Sequence, residues 1–290
     1  MIVKLSHRNS LVIYCNMANK SSIRRVSVIM GIYNCQDTLE EALDSLLGQS
    51  YHDFCVIMCD DGSSDNTYSI ASRYVHSHPE IFILIRNERN LGLNATLNKC
   101  LSIAKSEYVA RMDADDISLP TRFAEQVEFL DTHPEYALVS TPMIYFNQDG
   151  DFKVGRRSIE TPRRKDFMRG TPFCHAPSMV RKVAFDSVEG YSVSKDLLRV
   201  EDFHLWAKMY SIGLRGYNLQ TPLYKMRDDL NAANRRKFKF RINEAKLLWN
   251  IVDMLNLSFW NKIYALRPIF IGLLPGPAYR LVRRLRNNML

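Results

Sequence analysis

An α/β fold is predicted for this 290-residue chain, with a Rossmann-like, mainly parallel sheet flanked by helices and a basic helical extension at the C-terminal end. Three observations predict it. Short apolar runs alternate with segments of helical period from Val26 to about Thr132. Acids and amides collect directly after those apolar runs, at Asp60-Asp61, Asn87 and Asn90, and Asp113-Ala114-Asp115-Asp116. Charge is also uneven: the chain carries a formal +8, yet residues 234–290 alone hold twelve Lys and Arg against Glu244 and Asp253. Strand-helix alternation with short links implies right-handed crossover units in a parallel sheet, and ligands collect at the carboxyl ends of such strands. A nearly neutral body with a cationic end is expected to meet an anionic partner.

The elements follow in order. Val26–Met30 reads as a buried strand, and Thr38–Leu47 carries apolar residues at 39, 42, 43, 46 and 47, the helical period. Phe54–Met58 is a second strand, ended by Cys59-Asp60-Asp61-Gly62-Ser63-Ser64-Asp65. A helix over Thr67–His76, a strand over Ile81–Ile85 and a helix from Asn90-Leu91-Gly92 to about Ala104 lead to the strand Glu107–Ala110. After the acidic run, a helix is expected from Pro120 to about Thr132, then one strand over Ala137–Phe146 ending at Asn147-Gln148-Asp149-Gly150. Lys153–Arg169 is polar and basic and matches no period. A second apolar phase, Ala176–Phe185, precedes Gly190-Tyr191, and Glu201-Asp202-Phe203-His204-Leu205-Trp206 reads as a helix start with acids in its first turn.

Composition bounds the function. At 46% apolar and 24% charged residues the chain is an ordinary globular protein. Cys15, Cys35, Cys55, Cys59, Cys100 and Cys174 form no C-x-x-C pair and are read as reduced thiols of a cytosolic protein. Lys4 and Arg8 before Leu11–Cys15 only superficially resemble a signal peptide, and translation from Met17 is the simpler expectation. In the tail, Ile263–Val282 is interrupted by Pro and Arg, so a spanning helix is not expected. Trp249, Phe259, Trp260, Phe270, Leu273 and Leu274, with Arg280, Arg283, Arg284 and Arg286 behind them, fit an element lying on an anionic membrane surface or a helical cap on the main domain. No nucleic-acid-binding module is recognisable, and nucleic acid is not an expected partner.

The acidic run carries the chemistry. Residues alternate across a strand, so Asp113 and Asp115 can share a side, where two carboxylates repel unless a cation lies between them. A small set of hard oxygen ligands suits Mn2+ or Mg2+ shared with a phosphate. No G-x-G-x-x-G follows the first strand and there is no P-loop, which disfavours dinucleotide oxidoreductases and P-loop NTPases. The first turn, Gly31-Ile32-Tyr33-Asn34, offers an aromatic face that could stack a nucleobase beside the Asp61 carboxylate, a pairing suited to uracil.

Six motifs in this order, Val26–Met30 with Tyr33-Asn34, Leu46 with Gln49-Ser50-Tyr51, Asp60–Asp65, Asn90–Leu93, Met112–Asp116, and Glu201-Asp202 with Leu205-Trp206, resemble the family 2 glycosyltransferases. The resemblance covers about residues 25–226 and implies a GT-A fold, a nucleotide-diphosphate-sugar donor, with a UDP-sugar favoured, and inverting transfer to an acceptor hydroxyl. It places Tyr33, Asp61, Asn90, Gly92, Asp113 and Asp115 at the nucleotide sugar, Asp115 with Asp113 at the metal, and Asp202 as base with Glu201 beside it. His175 could touch acceptor or diphosphate, and Trp206 could wall the acceptor sugar or pack in the core. Gly31 departs from relatives that carry a side chain there, so any nucleotide contact at that point would come from backbone. Expected are an N-terminal extension over 1–24, a GT-A domain over 25–230 with a nucleotide half to about 116 and an acceptor half beyond it, and a basic amphipathic tail over 231–290. The function expected is extension of a glycan or lipid-linked glycan in surface polysaccharide biosynthesis, peripheral at the inner face of the cell membrane. A non-catalytic sugar-nucleotide or glycan binding subunit is the alternative.

Overall fold

The computed structural model describes residues 23–155, 158–228 and 238–274. The expected start at Met17, the basic run Arg235-Arg236-Lys237, a candidate contact for diphosphate or lipid head groups or a solvated helix face, and the arginines from 280 onward lie outside the described residues. In chain order the strands and α-helices are β1 (Val26–Ile32), α1 (Leu39–Leu47), β2 (Phe54–Asp60), α2 (Thr67–Ser77), β3 (Phe82–Arg86), α3 (Leu93–Ile103), β4 (Tyr108–Arg111), β5 (Ile117–Ser118), α4 (Arg122–Thr132), β6 (Leu138–Ser140), β7 (Met143–Asn147) and β8 (Gly150–Val154). They continue with β9 (Met179–Arg181), α5 (Lys182–Ser187), α6 (Glu201–Ser211), β10 (Gly216–Asn218), β11 (Tyr224–Arg227), α7 (Phe238–Met254), α8 (Asn261–Ala265) and α9 (Arg267–Leu273).

The main sheet runs β10-β6-β9-β4-β1-β2-β3. Its β4-β1-β2-β3 portion is parallel, and β9 is inserted antiparallel between β4 and β6. Side chains alternate across β1, as a strand buried on both faces requires. Val26, Val28, Met30 and Ile32 meet α1, α2 and α4 on one face, whereas Ile29 joins Leu97, Cys100, Leu205 and Trp206 on the other. Register levels Ile32 with Asp60 and Asp60 with Arg86, so three strand ends open on one edge.

Two expectations are corrected. Ala137–Phe146 is not one strand, because Thr141-Pro142 divides it: β6 stays in the main sheet, and β7 pairs with β11 and β8 in a separate sheet ordered β5-β11-β7-β8. Proline has no N–H for a ladder, so the chain changes sheets there. The apolar phase Ala176–Phe185 likewise divides into β9 and α5.

At the start of the basic extension, α7 buries Leu247, Leu248, Ile251 and Val252 in the core shared with α6. At about 1.5–3 kcal/mol for each fully buried aliphatic side chain, this helix is an integral layer of the fold. Beyond it, Phe259, Trp260, Ile263, Tyr264, Phe270 and Leu273 are exposed. No described helix is long and apolar enough to cross a membrane.

Candidate active site

The residues at the strand ends form three connected groups. The first is built around Asp61, which is buried at the end of β2. Its Oδ1 accepts from Asn87 Nδ2 and the Leu91 amide, both at 2.8 Å, and its Oδ2 accepts from the Gly92 amide at 2.9 Å. A carboxylate has about four acceptor positions, so about one is left for a ligand. Asn90 caps its own turn by accepting from the same Gly92 amide. Gly92 therefore serves the site through Asp61, since its N–H is already committed. Gly62 has φ of +74°, and a Cβ there would come within 2.9 Å of Arg89 backbone, so the Asp-Asp-Gly turn needs glycine. Tyr33 stands beside this turn, 48% exposed, with its ring free to stack. Asp60 instead pairs with Arg86 at 2.8 Å, and Arg86 packs over Tyr68.

The second group is the acidic turn after β4. The smaller sheet latches it: Asp113 N–H donates to the Tyr224 hydroxyl at 3.1 Å, Asp116 Oδ1 accepts from the Arg227 amide at 2.8 Å, and Arg227 Nε donates to the Asp115 carbonyl at 2.9 Å. Arg227 is itself fixed by Glu41 and by the face of Phe146. Asp113 is half-buried and Asp115 exposed, whereas Asp116 is buried. Lost solvation and the neighbouring Asp113 charge push Asp115 above the usual carboxylate range. Burial, then the charges of Asp113 and Asp115, push Asp116 up to about 8. Among the described residues no cluster of three or more His, Cys, Asp or Glu has metal-binding geometry. The donor set nevertheless fits a cation that takes only one or two protein carboxylates and completes its shell with diphosphate oxygens. The mutual repulsion of Asp113 and Asp115 is the observation that favours a positive charge between them.

The third group lies at the start of α6. Asp202 is half-buried; burial, followed by the Glu201 charge, pushes it up to about 7, against the opposing pull of Arg111. His175 Nε2 lies 2.8 Å from the Tyr191 hydroxyl. Burial and then Arg111 hold His175 well below its usual range, in the neutral form. Asn98 of α3 fixes Tyr191 by bonding both its backbone N–H, at 2.8 Å, and its carbonyl, at 2.7 Å. The preceding Gly190 has φ of +63°, and a Cβ there would sit 2.6 Å from Asn98 Oδ1.

Trp206 is corrected as a possible sugar wall: it is fully buried, edge-on to Phe173 and His175, four residues along α6 from Asp202 and pointing into the core. The residues missing from the sequence reading are Arg111, Tyr191, Tyr224 and Arg227. Arg111 had a legible signal, being a charge at the end of an otherwise apolar strand and on the face of Asp113 two residues later. Its side chain is 3% exposed and Nη1 pairs with Asp113 Oδ1 at 2.5 Å. Burial alone would lower its affinity for a proton, but Asp113 outweighs that and keeps it charged. Arg111 and Tyr191 feel the charges of both acidic groups or impose their own on them, which ties the second group to the third.

Comparison with known proteins bears on the family and the fold. The sequence pattern of Glycosyl transferase family 2 matches residues 27–188, more than half of the chain. The chain is 41% identical to EpsE of Bacillus subtilis (strain 168), over 87% of this chain and 90% of that protein. It is 29% identical to WfaP of Escherichia coli, named as a UDP-Glc:alpha-D-GlcNAc-diphosphoundecaprenol beta-1,3-glucosyltransferase, over 78% of this chain and 86% of WfaP. Among solved structures, S. aureus TarS 1-349 in complex with UDP-GlcNAc superposes with a TM-score of 0.65 at 19% identity, covering 84% of this chain and 70% of that one. The mannosyltransferase PcManGT from Pyrobaculum calidifontis, in complex with GDP-Man and Mn2+, gives 0.58 at 20% identity, covering 92% and 81%. The sheet order, the turn chemistry at its carboxyl edge and these relatives lead to one conclusion: the chain belongs to the family 2 glycosyltransferases and has the GT-A fold.

Proposed function

We propose that the protein is an inverting transferase that moves a sugar from a UDP-sugar to a hydroxyl of a glycan or lipid-linked glycan in surface polysaccharide biosynthesis. The observation that supports this reading is the Arg111-Asp113 ion pair, with Arg111 acting on Asp202 and with Tyr191 feeling the charges of both Asp113 and Asp202. The donor and acceptor in WfaP's name, and the UDP-GlcNAc bound by TarS, support the substrate class.

In this mechanism Tyr33 stacks the base and the free acceptor position of Asp61 takes its imide N–H. Asp113 and Asp115 face the ribose and diphosphate. A divalent cation, Mn2+ or Mg2+, held by Asp115 and Asp113 would neutralise charge growing on the leaving diphosphate; the Mn2+ in PcManGT supports its inclusion. Asp202 takes the proton of the acceptor hydroxyl as that oxygen bonds to the anomeric carbon and the bond from that carbon to the diphosphate breaks. Burial, and then the Glu201 charge, keeps the Asp202 pKa high, so the base operates near neutrality. His175, neutral and tied to Tyr191, lines the acceptor side.

Peripheral attachment at the cytoplasmic face of the membrane belongs to the same reading. It is supported by exposed Phe259, Trp260 and Phe270, at 68%, 72% and 64%, with Arg280, Arg283, Arg284 and Arg286 following in the sequence. Purified protein incubated with a panel of nucleotide sugars, a membrane lipid extract and Mn2+ or EDTA tests the activity. Metal-dependent UDP release with label entering lipid is expected; release with no dependence on Asp202 or metal overturns the site roles. Flotation with anionic vesicles tests the surface, and equal flotation of a Trp260→Ser, Phe270→Ser variant would discard it.

A further inference from the structure

We propose that Arg111 is a donor-binding residue whose guanidinium floors the pocket of the transferred sugar and donates N–H groups to the sugar's hydroxyl oxygens. The inference rests on the sugar-transfer reading above and goes beyond it by assigning recognition of the sugar to a residue outside the acidic motif. Three observations carry it.

The first is an incomplete hydrogen-bond set. The Arg111 side chain is 3% exposed, and its Nε has no hydrogen-bond partner among the described residues. Nη1 meets Asp113 as an ion pair only. Buried donors are nearly always satisfied, so an unsatisfied one calls for an explanation, of which a bound partner is one. Arg122 shows the contrast: also fully buried, it donates from Nε to Gln126 and from Nη2 to the Arg111 carbonyl.

The second is position. Strand alternation sends Arg111 to the face of the sheet that carries α3 and α6, and its charge reaches Asp202, His175 and Tyr191 while it pairs with Asp113. The sugar must lie between the diphosphate, at Asp113 and Asp115, and the base, at Asp202. Arg111, like Tyr191, is electrostatically linked to both ends of that path, and it is the one of the two that pairs directly with Asp113.

The third is chemistry. A guanidinium offers five N–H donors in a rigid fork, and Asp113 already balances its charge. The Arg111-Asp113 pair therefore presents donor and acceptor side by side with no net charge. That combination suits neighbouring hydroxyls, each of which needs to give one hydrogen bond and receive another.

The test compares Arg111→Met and Arg111→Lys with the parent protein, all with Mn2+, checked for folding by circular dichroism melts. Affinity for UDP and for UDP-Glc, UDP-GlcNAc and UDP-Gal is measured by calorimetry, and kcat/KM is measured for each sugar nucleotide that the parent turns over. Direct sugar binding predicts UDP affinity within about twofold of the parent in both variants, with kcat/KM and UDP-sugar affinity down about 10- to 100-fold, the size of a hydrogen bond to a charged group. Lys restores the charge without the fork and recovers only part of the loss. Equal losses for UDP and UDP-sugars would overturn the inference, because Arg111 would then merely hold Asp113 in place; so would unchanged UDP-sugar parameters in a folded variant. A parent protein that binds none of these nucleotides defeats the sugar-transfer reading itself, a result distinct from either.

Discussion

Asp61 and Asp202 are both carboxylates withdrawn from water, and they are held in opposite ways. Asp61 accepts hydrogen bonds from Asn87, Leu91 and Gly92, so its charge is fixed in place by the loop that it organises. Asp202 is pushed up to about 7 by burial and then by Glu201, with Arg111 only partly opposing. A carboxylate held by three donors is an anchor; one whose burial outweighs its backbone donors and so titrates near neutrality can exchange a proton. The proposed roles thus use the same functional group for binding and for chemistry, separated by the three donors around Asp61 and by the burial and Glu201 charge acting on Asp202.

Substitutions that break this contrast are ordered by expected effect. Asp202→Asn should lower sugar transfer by about 10²–10⁴-fold, the usual contribution of general-base catalysis, with UDP affinity little changed by calorimetry. Asp115→Ala, or EDTA on the parent, should cost about a hundredfold or more, since the cation is expected to supply several kcal/mol at the leaving group. Unlike Asp202→Asn, it should also weaken UDP binding. Asp61→Asn should raise the donor KM and lower stability by about 1–3 kcal/mol in a denaturant titration, because an amide N–H then faces either the Gly92 donor or the Asn87 and Leu91 donors. Gly190→Ala should cost about 1–2 kcal/mol for a left-handed non-glycine residue and, by displacing Asn98 and hence Tyr191, reduce transfer modestly.

The anchor half of the site was the more legible in the sequence. Asp60-Asp61-Gly62 and Asp113-Ala114-Asp115 follow strands whose apolar runs are unmistakable, and each motif lies within a few residues of its strand end. The second half depends on contacts across long stretches of chain. Tyr224 and Arg227 reach the acidic turn from more than a hundred residues away, through a small sheet that sequence period could not announce because β5 has two residues and β11 four. Trp206 illustrates the same limit, since its position after Asp202 suits either a sugar wall or a core residue and only packing chooses the core. Arg111 was visible as a charge in a buried strand, but its value lies in which acids it joins, and that is a property of the folded chain.

The pH dependence of sugar transfer tests the role of Asp202 most directly. Its folded pKa is raised to about 7, and the base acts in its ionised form, so the sign is determined: activity falls as pH drops below about 7 and reaches a plateau above it. With Mn2+ and a UDP-sugar that the parent turns over, kcat/KM for acceptor should show that rising limb, and Asp202→Asn should abolish the limb along with most of the rate. An Asp202→Asn protein that keeps both the parental rate and the parental limb would contradict the assignment of Asp202 as the base.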